Sequence, residues 1–227
     1  MDALGASRGG SMQASTTFII ADDHPLFRGA LRQALSSETS VRIVEAGDFA
    51  DARRAASENP DADLMMLDLA MPGASGLNAL MMIRAEFPNI PVAVISASDD
   101  MPTIRRALEL GASAFISKSS GIDEIREAIS AVLAGDVWIP PGFDAGREND
   151  PDIEMLIARL KTLTPQQTRV LGMIGEGLLN KQIAYELGVS EATVKAHVSA
   201  ILLKLGVDSR TQAVIQLARI GTAPGAI

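Results

Sequence analysis

Apolar residues in the first 135 positions gather into short runs separated by longer stretches of helical spacing. Runs at Thr17 to Ala21, Val41 to Ala46, Leu64 to Asp68, Pro91 to Ile95 and Ala114 to Ser117 predict five strands. Leu64-Met65-Met66-Leu67 has no polar alternation, which suits a central strand buried on both faces. Between the runs, Leu26, Ala30, Leu31 and Leu35 repeat at helical spacing after Pro25. Further helices are expected at 49–58, Leu77 to Phe87, Ile104 to Leu110 before Gly111, and 122–134 before Gly135. Strict alternation of strand and helix predicts a parallel sheet covered by helices on both faces.

The rhythm changes after Trp138-Ile139-Pro140-Pro141-Gly142. Residues 142–150 are polar and read as a linker. Ile153, Leu156, Ile157 and Leu160 give a short helix with an apolar stripe that needs a partner, either the front domain or another copy of the chain. Thr164-Pro165-Gln166-Gln167 is a helix start, with Thr164 as N-cap, Pro165 at the first position and Gln167 closing a capping box. A short helix follows at Asn180 to Leu187, stopped by Gly188. Ser190 caps a third, with Val194, Val198, Ile201, Leu202 and Leu205 on its inner face. A fourth runs from about Ser209 to Arg219. Two helices across a tight glycine turn, the second polar on its outer side, make a helix-turn-helix, though short helix pairs also occur in ordinary bundles. The divisions expected are a flexible tail at 1–15, an α/β domain at 16–138, a linker at 139–161 and an all-α four-helix domain at 162–227.

Composition narrows the classes. Apolar content of 47% with 4% aromatics suits aliphatic cores, and the absence of cysteine rules out disulfides and thiolate sites and fits a reducing, cytoplasmic compartment. No apolar run is long enough to span a bilayer, and the Gly/Ser/Ala-rich start has no signal-peptide core. Residues 160–227 carry seven Lys and Arg against four Asp and Glu, so the net charge of −8 leaves −11 on residues 1–159. An acidic front and a mildly basic back point to different partners, although a surplus of three also fits a plain solvated surface.

Chemistry collects at the strand ends. Asp22 and Asp23 end the first strand, Asp68 the third, Ser96 the fourth and Lys118 the fifth. In a parallel sheet these ends share one edge, where such folds bind ligands. Converging carboxylates call for a hard divalent cation such as Mg2+, and a carboxylate beside it can attack a phosphoryl group. Taken singly each residue has a duller role: Asp22-Asp23 as a helix cap, Ser96 and Lys118 as surface, Phe115 as core, His24 as a polar neighbour.

The set in this order resembles the receiver domain of two-component response regulators over about residues 16–135. The resemblance implies a five-stranded, flavodoxin-like fold and makes Asp68 the phosphoacceptor. Mg2+ is then held by Asp23 directly, Asp22 through water, Asp68 and the carbonyl of Ala70. Ser96 and Lys118 become the switch hydroxyl and phosphate-binding lysine, and Phe115 the switch aromatic. Ser119 departs from the pattern, standing where many receivers have proline.

Asn180-Lys181-Gln182-Ile183-Ala184, Val189-Ser190, Thr193-Val194-Lys195-Ala196-His197 and Lys204-Leu205-Gly206-Val207 look like the LuxR-type DNA-binding domain, over about 162–221. With a receiver in front, the chain resembles the NarL/FixJ class. The resemblance implies that Lys181, Ser190 and Thr193 touch phosphates of double-stranded DNA and that Lys195, Ala196 and Ser199 face the major groove. His197 contacts the backbone or packs beneath it. It also implies pairing of two copies on DNA through the fourth helix, by Ala213, Val214 and Leu217, which could otherwise simply finish the bundle. Gln167 and Arg169 stand where the first helix commonly carries two glutamates, and Ser199 where some members have a longer side chain. The function implied is transcription control by a phosphoryl group from a histidine kinase, not enzymatic turnover. Its rivals are a DNA-binding protein indifferent to phosphate and a receiver acting by protein contact alone.

Overall fold

A computed structural model describes residues 15–35, 40–73, 76–143 and 150–221. The expected tail lies, apart from Ser15, outside the described residues, as do 144–149 of the linker and 222–227. The front half contains β1 (Thr16–Ala21), α1 (Pro25–Leu35), β2 (Val41–Ala46), α2 (Phe49–Glu58), β3 (Leu64–Asp68) and α3 (Leu77–Glu86). It continues with β4 (Val92–Ser96), α4 (Met101–Glu109), β5 (Ala114–Ser117) and α5 (Ile122–Leu133). All neighbouring strands are parallel, in the order β2-β1-β3-β4-β5, which puts β3 at the centre. Its five residues are all buried, as an unbroken apolar run requires.

Two layers of side chains cover the sheet. Phe18, Ile20, Met66 and Ile95 pack with Leu31 and Leu35 of α1 and Ile125 and Ile129 of α5. Ile19, Met65, Leu67 and Val94 pack on the other face with α2, α3 and α4. α4 begins at Met101, earlier than the apolar spacing alone marks, because Asp100 accepts the N–H of Thr103 and Pro102 fits the first turn.

The back half contains α6 (Pro151–Lys161), α7 (Pro165–Gly175), α8 (Asn180–Leu187), α9 (Glu191–Leu205) and α10 (Arg210–Gly221). The capping box at Thr164 and Gln167 forms as expected. α6, within the expected linker, packs its stripe within the back half itself, where spacing alone points to the front domain or another copy. It packs on α9 and α10, and Arg159 donates to the carbonyl of Leu205 at 2.7 Å. The second apolar layer of the sheet runs on without a break into the back half, so Met82 of α3 shares a cluster with Val170 and Ile174 of α7 and Leu217 of α10. No described helix is long and apolar enough to cross a membrane.

Candidate functional site

β1, β3, β4 and β5 deliver the front-half residues to one edge. Asp68 ends β3 opposite Ile95 of β4, and Ser96 pairs in register with Ser117, just before Lys118. Asp22 follows β1, anchored by its N–H on the carbonyl of Ala46 at 3.1 Å. Asp22 and Asp68 are both 0% exposed. Lys118 reaches between them, its Nζ 2.8 Å from Asp68 Oδ2 and 2.9 Å from Asp22 Oδ2. Burial works against the charged ammonium, but these two bonds outweigh it and hold the pKa of Lys118 above the ordinary lysine value.

The remaining oxygens point to a cation. One ligand atom each from Asp22, Asp23, His24 and Asp68 lies within 4.8 Å of all the others. Asp22 Oδ2 and Asp23 Oδ1 are buried, and their neighbours are basic side chains rather than neutral donors: Lys118 Nζ at 2.9 Å from the first and His24 Nδ1 at 2.6 Å from the second. Both therefore keep lone pairs for a metal ion, and a set of hard carboxylate oxygens fits a divalent cation. Ala70 donates its N–H to Asp68 Oδ1 at 3.1 Å, which keeps its peptide beside the acid. The Ser96 hydroxyl accepts from Ser98 N–H at 3.1 Å, and the Lys118 N–H donates to the Ser96 carbonyl at 2.7 Å. Phe115 is fully buried on the α4 side of the sheet, in a cluster with Ile104 and Ala107.

Two residues of this site escaped the sequence reading. Arg28 donates to the carbonyl of Asp22 at 2.7 Å and to Glu45 at 2.9 Å, fixing the acidic turn. The Phe27 ring lies under Lys118 Nζ, 5.3 Å from its centroid. Their signal was the spacing of a helical turn after His24, which brings that face of α1 back to the strand edge.

In the back half the turn between α8 and α9 is set by Gly188, whose φ of 64° is left-handed and favours glycine. Ser190 caps α9 by accepting the N–H of Thr193 at 3.1 Å. Lys181, Ser190, Thr193, Lys195, Ala196 and Ser199 are all exposed, while His197 is half-buried. Val194, Ile201 and Leu205 face inward, so α9 presents its polar side outward over several turns. Gln167 and Arg169 of α7, standing where two acids are common, make contacts of their own. Lys204 donates to Gln167 Oε1 at 2.8 Å, and Arg169 turns away from its own half to reach Glu86 on α3 at 3.3 Å. Ala213 and Leu217 are buried within the chain and Val214 is half-buried, because α10 lies on α7 and α3; the three do not form an exposed face.

Residues 18–130 match the family described as the response regulator receiver domain, and residues 161–217 match the bacterial regulatory proteins of the luxR family. The chain is 41% identical over 204 residues to the glycerol metabolism activator of Pseudomonas putida, covering 87% of this chain and 92% of that one. It is 34% identical over 215 residues to the nitrate/nitrite response regulator protein NarP of Escherichia coli, covering 90% and 96%. Among solved structures it resembles RcsB of Salmonella enterica serovar Typhimurium bound to a promoter in the presence of a phosphomimetic. That likeness has a TM-score of 0.53 and 25% identity over 91% of this chain and 99% of the other. The chain belongs to the NarL/FixJ class of response regulators, in which a receiver domain precedes a luxR-family DNA-binding domain.

Proposed function

We propose that Asp68 is the phosphoacceptor of this transcription regulator and that a histidine kinase is its donor. One oxygen of the Asp68 carboxylate bonds to phosphorus, the phosphorus–nitrogen bond to the kinase histidine breaks, and the imidazole nitrogen keeps the electron pair. Asp22, Asp23, Asp68 and the carbonyl of Ala70 would hold Mg2+, which when bound neutralises charge on the phosphoryl oxygens. Lys118 supplies a fixed positive charge at the same place, and Ser96 a hydroxyl for another oxygen. Phe115 packs with α4 and follows its movement. The supporting observation is the placement of Asp68. It is fully buried at the end of the central strand, paired with Lys118 and flanked by a second buried carboxylate.

Residues 16–138 act as the receiver, 139–161 as the connection and 162–227 as the DNA-binding domain, with α6 of the connection packed onto the latter. α9 enters the major groove of double-stranded DNA, Lys195, Ala196 and Ser199 toward the bases and Lys181, Ser190 and Thr193 toward phosphates, with His197 beside the backbone. Two copies bind together, pairing through Ala213, Val214 and Leu217 of α10. A cytoplasmic location follows from a DNA partner and suits a chain without cysteine.

The test is labelling by a small-molecule acyl phosphate in the presence of Mg2+. The wild-type chain should take up the phosphoryl group and Asp68→Asn should not, because an amide is a poor nucleophile. Stable labelling of Asp68→Asn would place the acceptor elsewhere.

A further inference from the structure

A cleft of about 640 Å³ lies between α2, the end of α3 and the start of α7. Its lining includes no residue of the Asp68 pocket and none of α9, so neither the phosphoryl chemistry nor the DNA contacts account for it. Three guanidinium groups line it, Arg53 and Arg54 from α2 and Arg169 from α7. Against them stands one carboxylate, Glu86 at the end of α3. A cleft rich in arginine is out of keeping with a front half that is strongly acidic. Its volume falls in the range of small-molecule sites.

Helical spacing gathers the groups of α2. Ser57 stands three residues after Arg54 and four after Arg53, so the three side chains share one side of the helix. Glu86 then fixes two of the guanidinium groups. Its Oε2 accepts from Arg53 Nε at 3.1 Å and from Nη2 at 2.9 Å, and its Oε1 lies 3.3 Å from Arg169 Nε. The Glu86 side chain is only 9% exposed, so it is a set part of the wall and not a mobile counter-ion. The contact with Arg169 uses Nε alone, and neither Nη of that residue has a partner among the described contacts. Arg54 pairs with Asp51 at 2.7 Å, but its side chain is 66% exposed, and such a pair is weak in water. An anion in the cleft can therefore draw Arg54 away from Asp51.

α7 adds backbone polarity to the same wall. It is an eleven-residue helix that begins with Pro165, which has no N–H. The N–H of Gln167 goes to Thr164 Oγ1 and that of Thr168 to the Thr164 carbonyl. The N–H of Gln166, which lines the cleft, has no acceptor among the described contacts, and this end of a helix favours negative charge. Phe87 and Pro165 supply the apolar part of the lining.

We propose that this cleft binds a small organic anion carrying two or more negative charges on phosphoryl or carboxylate oxygens. Arg54 and Arg169 are the recognising groups, and Glu86 positions Arg53 and Arg169. Guanidinium matches both kinds of oxygen two bonds at a time. Two such forks from different helices call for more than one anionic group, and the volume and the apolar lining leave room for the carbon skeleton between them. The site stands apart from Asp68, so the proposal holds whether or not that residue is phosphorylated.

The experiment titrates the full chain with citrate and with adenosine diphosphate, without Mg2+ and at an ionic strength held by potassium chloride. Calorimetry gives affinity and stoichiometry, and thermal melts give the stabilisation. At least one probe should saturate at one per chain and raise the melting temperature, and which one does so names the charged group. Arg54→Gln and Arg169→Gln should each weaken that binding about tenfold or more, since each removes hydrogen bonds to a charged partner. Arg42→Gln, on the exposed side of β2, should not. Arg54 is largely exposed, so its variant keeps the fold and carries the test if Arg169→Gln disturbs α7. Failure of both probes to saturate, or a folded cleft variant that binds like wild type, would overturn the proposal. Binding lost in Asp68→Asn or Lys195→Ala but kept in both cleft variants would overturn it too, by placing the anion in the phosphorylation pocket or on the DNA face.

Discussion

Lys118 shows how much one side chain can contribute to a site of this kind. Its ammonium lies within bonding distance of both Asp22 and Asp68, and both acids are fully buried. Burial alone would discharge the lysine, yet its pKa is raised because both carboxylates bond to it. A raised lysine pKa stabilises the folded chain fully below the ordinary lysine value and loses that contribution as pH rises through the raised one. The stabilisation therefore persists across the neutral range. Lys118→Met should leave two buried carboxylates without a counter-charge and cost about 2 to 3 kcal/mol, toward the low side of buried pairs because the ammonium is partly open to water. Mg2+ should recover most of the loss, since the same oxygens would hold it. Thermal melts with and without Mg2+ decide: an equally low melting temperature in both would mean the cation binds elsewhere. The acids, Ser96 and Lys118 were legible in the sequence because each sits at the end of an apolar run, and a parallel sheet sends all those ends to one edge. Arg28 and Phe27 were missed, because the helical spacing after His24 points that face of α1 toward the edge without fixing how far the helix tilts over it.

At the scale of the element, α9 divides its surface between two jobs. Val194, Ile201 and Leu205 hold it in the bundle, and the residues between them that are exposed are the ones proposed to meet DNA. Lys181, on α8, stands apart from that face and at the start of its own helix. Neutralising one phosphate releases about one counterion, so Lys181→Ala should weaken binding to any sequence alike and lower the salt slope by about one unit. Lys195, in the first turns of α9, should behave differently. Lys195→Ala is expected to cost about 1 to 3 kcal/mol on the preferred site and much less on random DNA. Titrations of both variants against both DNAs at two salt concentrations check this, and equal losses on the two DNAs would make Lys195 a phosphate contact. The helices themselves were legible from caps and apolar stripes, and Thr164, Gly188 and Ser190 fall where the structure uses them. The role of α10 was less so. Ala213 and Leu217 have the spacing of a pairing face, but the same spacing serves packing against α7 and α3, and periodicity does not say which neighbour is present.

At the scale of the whole molecule, the two halves share one apolar core, and this was the least legible feature. Each half has its own pattern of strands and helices, so the sequence reads as two units. The joint between them rests on contacts between residues far apart in the chain, such as Arg106 with Ile220, 114 positions on. Gly172 marks the joint most clearly. In a helix interior glycine costs about 1 kcal/mol against alanine, so its presence in the middle of α7 needs a reason. That reason is Met82, whose side chain fills the space a Cβ would take. Gly172→Leu should raise the helical preference of α7 and yet weaken the joint, because the added atoms would overlap Met82 and overpacking of this kind costs about 1 to 3 kcal/mol. The cost falls on the docking of the halves and not on either half alone. Calorimetry separates the two effects. The wild-type chain, with a continuous core, should unfold in one cooperative transition, and Gly172→Leu should split it into two, neither lying far below the original. A single transition, lowered as a whole, would show that Gly172 serves the interior of the DNA-binding half and that the two halves do not depend on it to dock.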